Sequence, residues 1–71
     1  MTTATIKRFK APTSSWADYI YKTYINGKPL RFQGNVIETF TRRQAIKIAM
    51  SERGVKVDKI YQAWNNRTYT V

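Results

Sequence analysis

The dipeptide Asn26-Gly27 constrains this chain more than any other feature. Asn and Gly both tolerate the positive φ that a two-residue type I′ turn demands at its central positions. The turn follows Tyr19-Ile20-Tyr21-Lys22-Thr23-Tyr24-Ile25, a run dominated by aromatic and β-branched strand formers. The chain is therefore expected to double back there as an antiparallel hairpin. The return strand reads over Leu30 to Gln33 and, past an expected bulge at Gly34-Asn35, over Val36 to Phe40. Pro29 has no N–H to donate and limits ladder pairing where that strand begins.

Thr41-Arg42-Arg43-Gln44 matches the capping box, in which the Thr hydroxyl accepts from the backbone N–H three residues on and the Gln side chain reaches back. A helix is expected from Thr41 to Arg53, with Gly54 as its stop. At about 100° per residue, Ile48, Ala45, Ala49, Ile46 and Met50 fall on one apolar arc, with Arg43, Lys47, Ser51 and Gln44 opposite. The predicted core sets Ile46, Ala49 and Met50 against Tyr21, Ile25, Phe32 and Val57. Beyond Gly54, Val55–Val57 and Ile60–Trp64 read as a further strand with an irregularity near Asp58-Lys59. Asn65-Asn66-Arg67 then turns into a last strand over Thr68 to Val71. Thr5 to Lys10 reads as an edge strand or, slightly better, a mobile basic arm, and Ala11 to Ser15 as a linker. The expected fold is α+β: residues 1–15 as arm or edge strand plus linker, then one domain over 16–71. That domain is an antiparallel sheet of three or four strands with one helix on one face, in the order β-β-α-β.

Composition removes most catalytic chemistry. There is no His and no Cys among the 71 residues, which excludes a thiolate or imidazole metal site, a disulfide, a Cys nucleophile and any triad with an imidazole base. The acids Asp18, Glu38, Glu52 and Asp58 each lie near a Lys or Arg and show no D-x-D spacing for a magnesium site. Gly27, Gly34 and Gly54 are isolated, so there is no phosphate-cradling Gly-rich loop. The expectation is a protein that is not an enzyme and uses no cofactor. No apolar run approaches the roughly 20 residues that span a bilayer, and residues 1–10 lack a secretory signal's apolar stretch. A soluble protein, complete as written and working in a reducing cytoplasm, is expected.

The cations carry more information. Thirteen Lys and Arg against four acids leave a net charge of +9, and ten aromatic residues argue that so basic a chain still folds. Arg42 and Arg43 fall in the first helical turn, where the positive end of the macrodipole penalises a cation by about 0.3–1 kcal/mol. Arg43 and Lys47 add a like-charge i, i+4 pair that costs about 0.2–0.5 kcal/mol. Helix stability does not account for these residues, whereas a phosphate seated on this face and the free N–H groups of the helix start would. Lys22, Lys28 and Arg31 make a second basic set around the hairpin. If Tyr19, Tyr21 and Ile25 face the core, strand parity turns Lys22 and Tyr24 to the outer sheet face, where Tyr24 can stack a base and Tyr61 or Trp64 can extend the platform.

No RNA-recognition-motif string, KH loop, zinc-finger ligand set or second helix for helix-turn-helix is present. Size, charge and layout are similar to those of many small phage accessory proteins and some small ribosomal proteins. The leading expectation is a module that binds DNA or RNA mainly through phosphates, with Arg42, Arg43, Lys47, Lys22, Lys28, Arg31, Tyr24 and Trp64 as candidate contacts. The alternative is a small inhibitor or adaptor, of the kind phages encode, whose basic face covers an acidic surface on a protein partner such as a host nucleic-acid enzyme.

Overall fold

The computed structural model describes residues 2–12, 16–52 and 54–71, so the expected linker residues Thr13 to Ser15 and the expected helix end at Arg53 lie outside the described residues. In chain order the elements are β1 (Thr2–Lys10), β2 (Tyr19–Ile25), β3 (Lys28–Pro29), β4 (Arg31–Phe32), β5 (Asn35–Val36), β6 (Glu38–Thr39), α1 (Arg42–Met50), β7 (Val57–Gln62) and β8 (Arg67–Thr70). The fold is α+β, with one helix among the described residues and a mostly antiparallel sheet.

The N-terminal segment, expected as an arm or an edge strand, is instead the centre of the sheet. β1 pairs antiparallel with β2 from Ala4↔Ile25 to Lys10↔Tyr19, and parallel with β7 from Thr2↔Val57 to Ile6↔Gln62. Its inward positions explain why. Ala4 and Ile6 are fully buried while Thr3 and Lys7 are exposed, the period of two that a strand with one covered face requires. The four cations and aromatics over Lys7 to Lys10 mask that pattern in the sequence.

The expected count of three or four strands and the order β-β-α-β are also corrected. The main sheet has six strands in the order β3-β2-β1-β7-β8, with β6 sharing the outer edge of β2 beside β3. Asn26 (φ 54°) and Gly27 (φ 77°) make the expected turn, and Tyr24↔Pro29 and Ile25↔Lys28 close it. Pro29 sits on an edge segment, where a missing donor is tolerated. The predicted bulge at Gly34-Asn35 is a second tight turn, with Gln33 at φ 52° and Gly34 at φ 84°. It folds β4 and β5 into a separate two-stranded sheet, Arg31↔Val36 and Phe32↔Asn35. The chain leaves the edge at Leu30, whose N–H donates to Thr23 O at 2.9 Å, and returns at Ile37, whose N–H donates to Leu30 O at 3.0 Å. β6 then resumes the pairing with β2, Lys22↔Glu38 and Tyr21↔Thr39.

β6 and β7 run in the same direction on opposite sides of the β2–β1 pair, so α1 is the crossover that joins them over one sheet face. Thr41 caps it as expected: its Oγ1 accepts from Gln44 N at 3.2 Å, while Gln44 Oε1 reaches back to Phe40 N–H at 3.1 Å. The helix stops at Met50, short of the predicted Arg53 and Gly54, because Ser51 caps it, with its N–H on Lys47 O and Ile48 O and its hydroxyl on Ile48 O. Thr41→Ala should lower unfolding free energy by about 0.5–2 kcal/mol in urea denaturation, with the m-value unchanged.

The helix seam consists of two alanines. Ala45 and Ala49 are fully buried over Ala4, Ile6, Ile25, Leu30, Val57 and Ile60, with Ile46 and Ile48 packed at the margins. Two predicted core residues are corrected: Met50 is 45% exposed at the helix end, and Phe32 is 67% exposed because the β4–β5 hairpin carries it off the sheet. The expected irregularity near Asp58 is a bulge: Thr2 pairs with Val57 but Thr3 with Lys59. Asp58 Oδ1 takes the Thr2 N–H at 3.1 Å, and Asp58 O takes the Val71 N–H at 2.9 Å. The bulge lets Val57 and Ile60, three apart, both face the helix.

Candidate nucleic-acid interface

Since one helix covers one sheet face, the register determines what the other face presents. Buried Ile6 and Thr23 are paired and face α1, where the Thr23 hydroxyl donates to Ala45 O at 3.3 Å. Their neighbours therefore point away. Across the strands this open face shows a row of Tyr24, Thr5, Tyr61 and Thr68. On one side of it runs Glu38, Lys22 and Lys7, and on the other Thr3, Lys59 and Thr70. Phe9 pairs with Ile20 beyond the lysines. The bulge at Asp58 is what aims Lys59 and Tyr61 here, by resetting parity after Val57.

Lys7 and Lys22 are directly cross-strand partners. Like charges in that position lie with Cβ atoms roughly 4.5–5.5 Å apart and destabilise the sheet. Each ammonium is held over a ring, Lys7 Nζ 4.8 Å from the Tyr24 centroid and Lys22 Nζ 5.0 Å from that of Phe9. Tyr61 is fixed by its hydroxyl, 2.5 Å from Asn66 Oδ1. Glu38 is the acid that the register sets among these residues.

The sequence-predicted contacts divide among four places. Lys22 and Tyr24 share the open face. Arg43 and Lys47 are exposed on the outer side of α1. Arg42, expected beside them, instead turns to the sheet: its Nε donates to Gln62 Oε1 and its guanidinium stacks 5.0 Å from the Tyr69 ring. Gln62 is buried, with its amide nitrogen 3.3 Å from Asn65 Oδ1, so Arg42 has a structural reason for its position. Trp64 lies on the helix side of the sheet, edge-on to Tyr21 at 5.5 Å and 72°. Arg8 stacks there between Tyr19 at 4.4 Å and Trp64 at 5.3 Å. Of the two aromatics read as extending the Tyr24 platform, Tyr61 occupies its row and Trp64 does not. Lys28 pairs with Ile25, which puts it on the face opposite Lys22, and Arg31 Nη1 braces the small hairpin by donating to Gly34 O at 3.1 Å.

Lys7, Lys59, Phe9 and Arg8 did not emerge from the sequence as site residues. Lys7 and Phe9 were legible only as part of a basic arm, and their place on a platform depends on β1 entering the middle of the sheet. Among the described residues no group of three or more acids converges as a metal site, and no helix is long and apolar enough to cross a membrane.

The class defined here is thus a small α+β domain whose single described helix leaves one face of a six-stranded sheet open. No family model, curated protein or solved structure matches the chain.

Proposed function

We propose that this protein is a small non-enzymatic module that binds nucleic acid, chiefly through phosphates, on the open face of its sheet. The observation that carries the reading is the directly opposed pair Lys7 and Lys22 beside Tyr24, on a face the helix leaves uncovered. Two cations set opposite each other concentrate positive charge at one point of that face, beside a ring on which a base can stack. The net charge of +9 supplies the long-range attraction that brings a polyanion to it. Arg43 and Lys47 on the helix add a lesser cationic surface. The test is an anisotropy titration of labelled DNA and RNA over a range of salt concentrations. Binding at low salt, with log affinity falling linearly against log salt, supports the reading. Absence of binding at low salt overturns it.

A second reading, an inhibitor or adaptor on an acidic protein surface, draws on a different observation. A groove of about 410 Å³ between β6 and α1 is lined by Ile37, Phe40 and Ile48 and rimmed by Glu38, Gln44 and Lys47. Trp16, 82% exposed, packs on Phe40 with ring centroids 5.0 Å apart. An exposed aromatic pair beside an apolar groove, with Glu38 and Lys47 at its edge, has the composition of a protein hot spot. This reading is favoured if nucleic acid fails to bind while Trp16→Ala abolishes capture of an acidic protein partner.

A further inference from the structure

We infer that the nucleic acid held on the open sheet face is single-stranded, running across the strands with bases stacked on Tyr24 and Tyr61 and phosphates on Lys7, Lys22 and Lys59. The inference rests on the nucleic-acid reading above and deepens it. Tyr24 and Tyr61 occupy one cross-strand row with Thr5 between them. Strands lie about 4.8 Å apart, so the two rings stand roughly 10 Å from each other with only a small side chain in the interval. The lysines flank that row, one position of the pleat away on either side, or roughly 7 Å along the strands. Aromatic positions along a track with cations on both margins match what an unpaired strand offers, alternating base faces and phosphates.

A duplex offers this surface much less. Its base faces are consumed in the stack, leaving only groove edges and phosphates to an outside reader, so the partly exposed rings of Tyr24 and Tyr61 have nothing to stack on. A sheet can read a duplex by entering the major groove, which is roughly 12 Å wide and admits a two-stranded ribbon. The path β3-β2-β1-β7-β8 is five strands across, and at about 4.8 Å per step it spans roughly 19 Å, too broad to enter. Tyr61 is held in position through Asn66. The Lys7 ammonium lies over the Tyr24 ring, so a base that stacks there takes its place and leaves the cation beside the adjoining phosphate.

The test compares a labelled 12-nucleotide single strand, as DNA and as RNA, with the duplex of the same sequence by anisotropy at matched salt. The wild-type chain is expected to bind the single strand at least roughly tenfold more tightly. Tyr24→Leu is expected to weaken single-strand binding by roughly 5- to 150-fold with an unchanged salt slope, because a stacking face is lost and no charge is. Tyr24→Phe, which retains the ring, should bind like wild type. Thermal melting monitors the fold of both variants, and the strand comparison on the wild-type chain needs neither. Duplex binding as tight as single-strand binding, or a folded Tyr24→Leu protein that binds the single strand like wild type, overturns this inference while leaving nucleic-acid binding in place. Failure to bind either form at low salt overturns both.

Discussion

Ile6→Ala is expected to be the most damaging single truncation in this protein, lowering unfolding free energy by about 2–5 kcal/mol. Ile6 is fully buried in β1, which is bounded on both sides by neighbouring strands and covered by the Ala45–Ala49 seam of the helix. The cavity cannot close easily. α1 already rides low on two alanines, and moving it further would strain the Thr23 to Ala45 hydrogen bond. Total stability for 71 residues at typical density is roughly 4–10 kcal/mol, so the variant sits near the edge of folding. Urea denaturation followed by circular dichroism measures the loss. Ile46→Ala, at a position only partly buried, should cost clearly less. A larger loss at Ile46 than at Ile6 would contradict the placement of β1 at the centre of the sheet.

The largest functional effect is expected from replacing Lys7, Lys22 and Lys59 together by Gln. If each neutralises one phosphate of a single strand, the slope of log affinity against log salt should shrink by about 2. Affinity should fall for every sequence alike, since phosphate contacts carry no base information. Stability should fall only modestly, by about 1 kcal/mol. Relief of the Lys7 and Lys22 repulsion is worth about 0.2–1 kcal/mol, and it offsets part of the two lost cation–π contacts, about 0.5–1 kcal/mol each at exposed sites. Arg43→Gln with Lys47→Gln is the informative comparison, because it removes a like-charge pair from the helix without touching the sheet. A smaller slope change per charge removed for the helix pair than for the sheet lysines places the main phosphate contacts on the open face. The reverse result would move the interface to α1.

Several parts of this architecture are local enough to be legible in the sequence. The Asn26-Gly27 turn requires only two adjacent residues that accept positive φ, and the Thr41 cap only a hydroxyl three residues from a backbone N–H. The bulge near Asp58 shows as a break in apolar spacing between Val57 and Ile60. Parity within one strand is equally local: Ile25 and Tyr24 had to face opposite ways, and buried Ile25 places Tyr24 outside. What these signals share is that each depends on neighbours a few residues away.

The candidate interface depends on long-range pairing. Thr2 to Lys10 carries four charged or aromatic residues at its end and reads as an arm, until β2 and β7 are found to bracket it over Ala4 and Ile6. That placement sets Lys7 against Lys22 and Tyr61 in line with Tyr24. Arg42 likewise read as a free cation because its partner Gln62 is 20 residues away. Turn conformation, helix capping and strand parity were thus determined by the sequence itself, because each is decided by sterics and hydrogen bonds within a few residues. Strand order and the convergence of lysines and tyrosines on one face were decided only by the tertiary structure, because burying Ala4 and Ile6 beneath α1 is a free-energy gain that no local segment can realise alone.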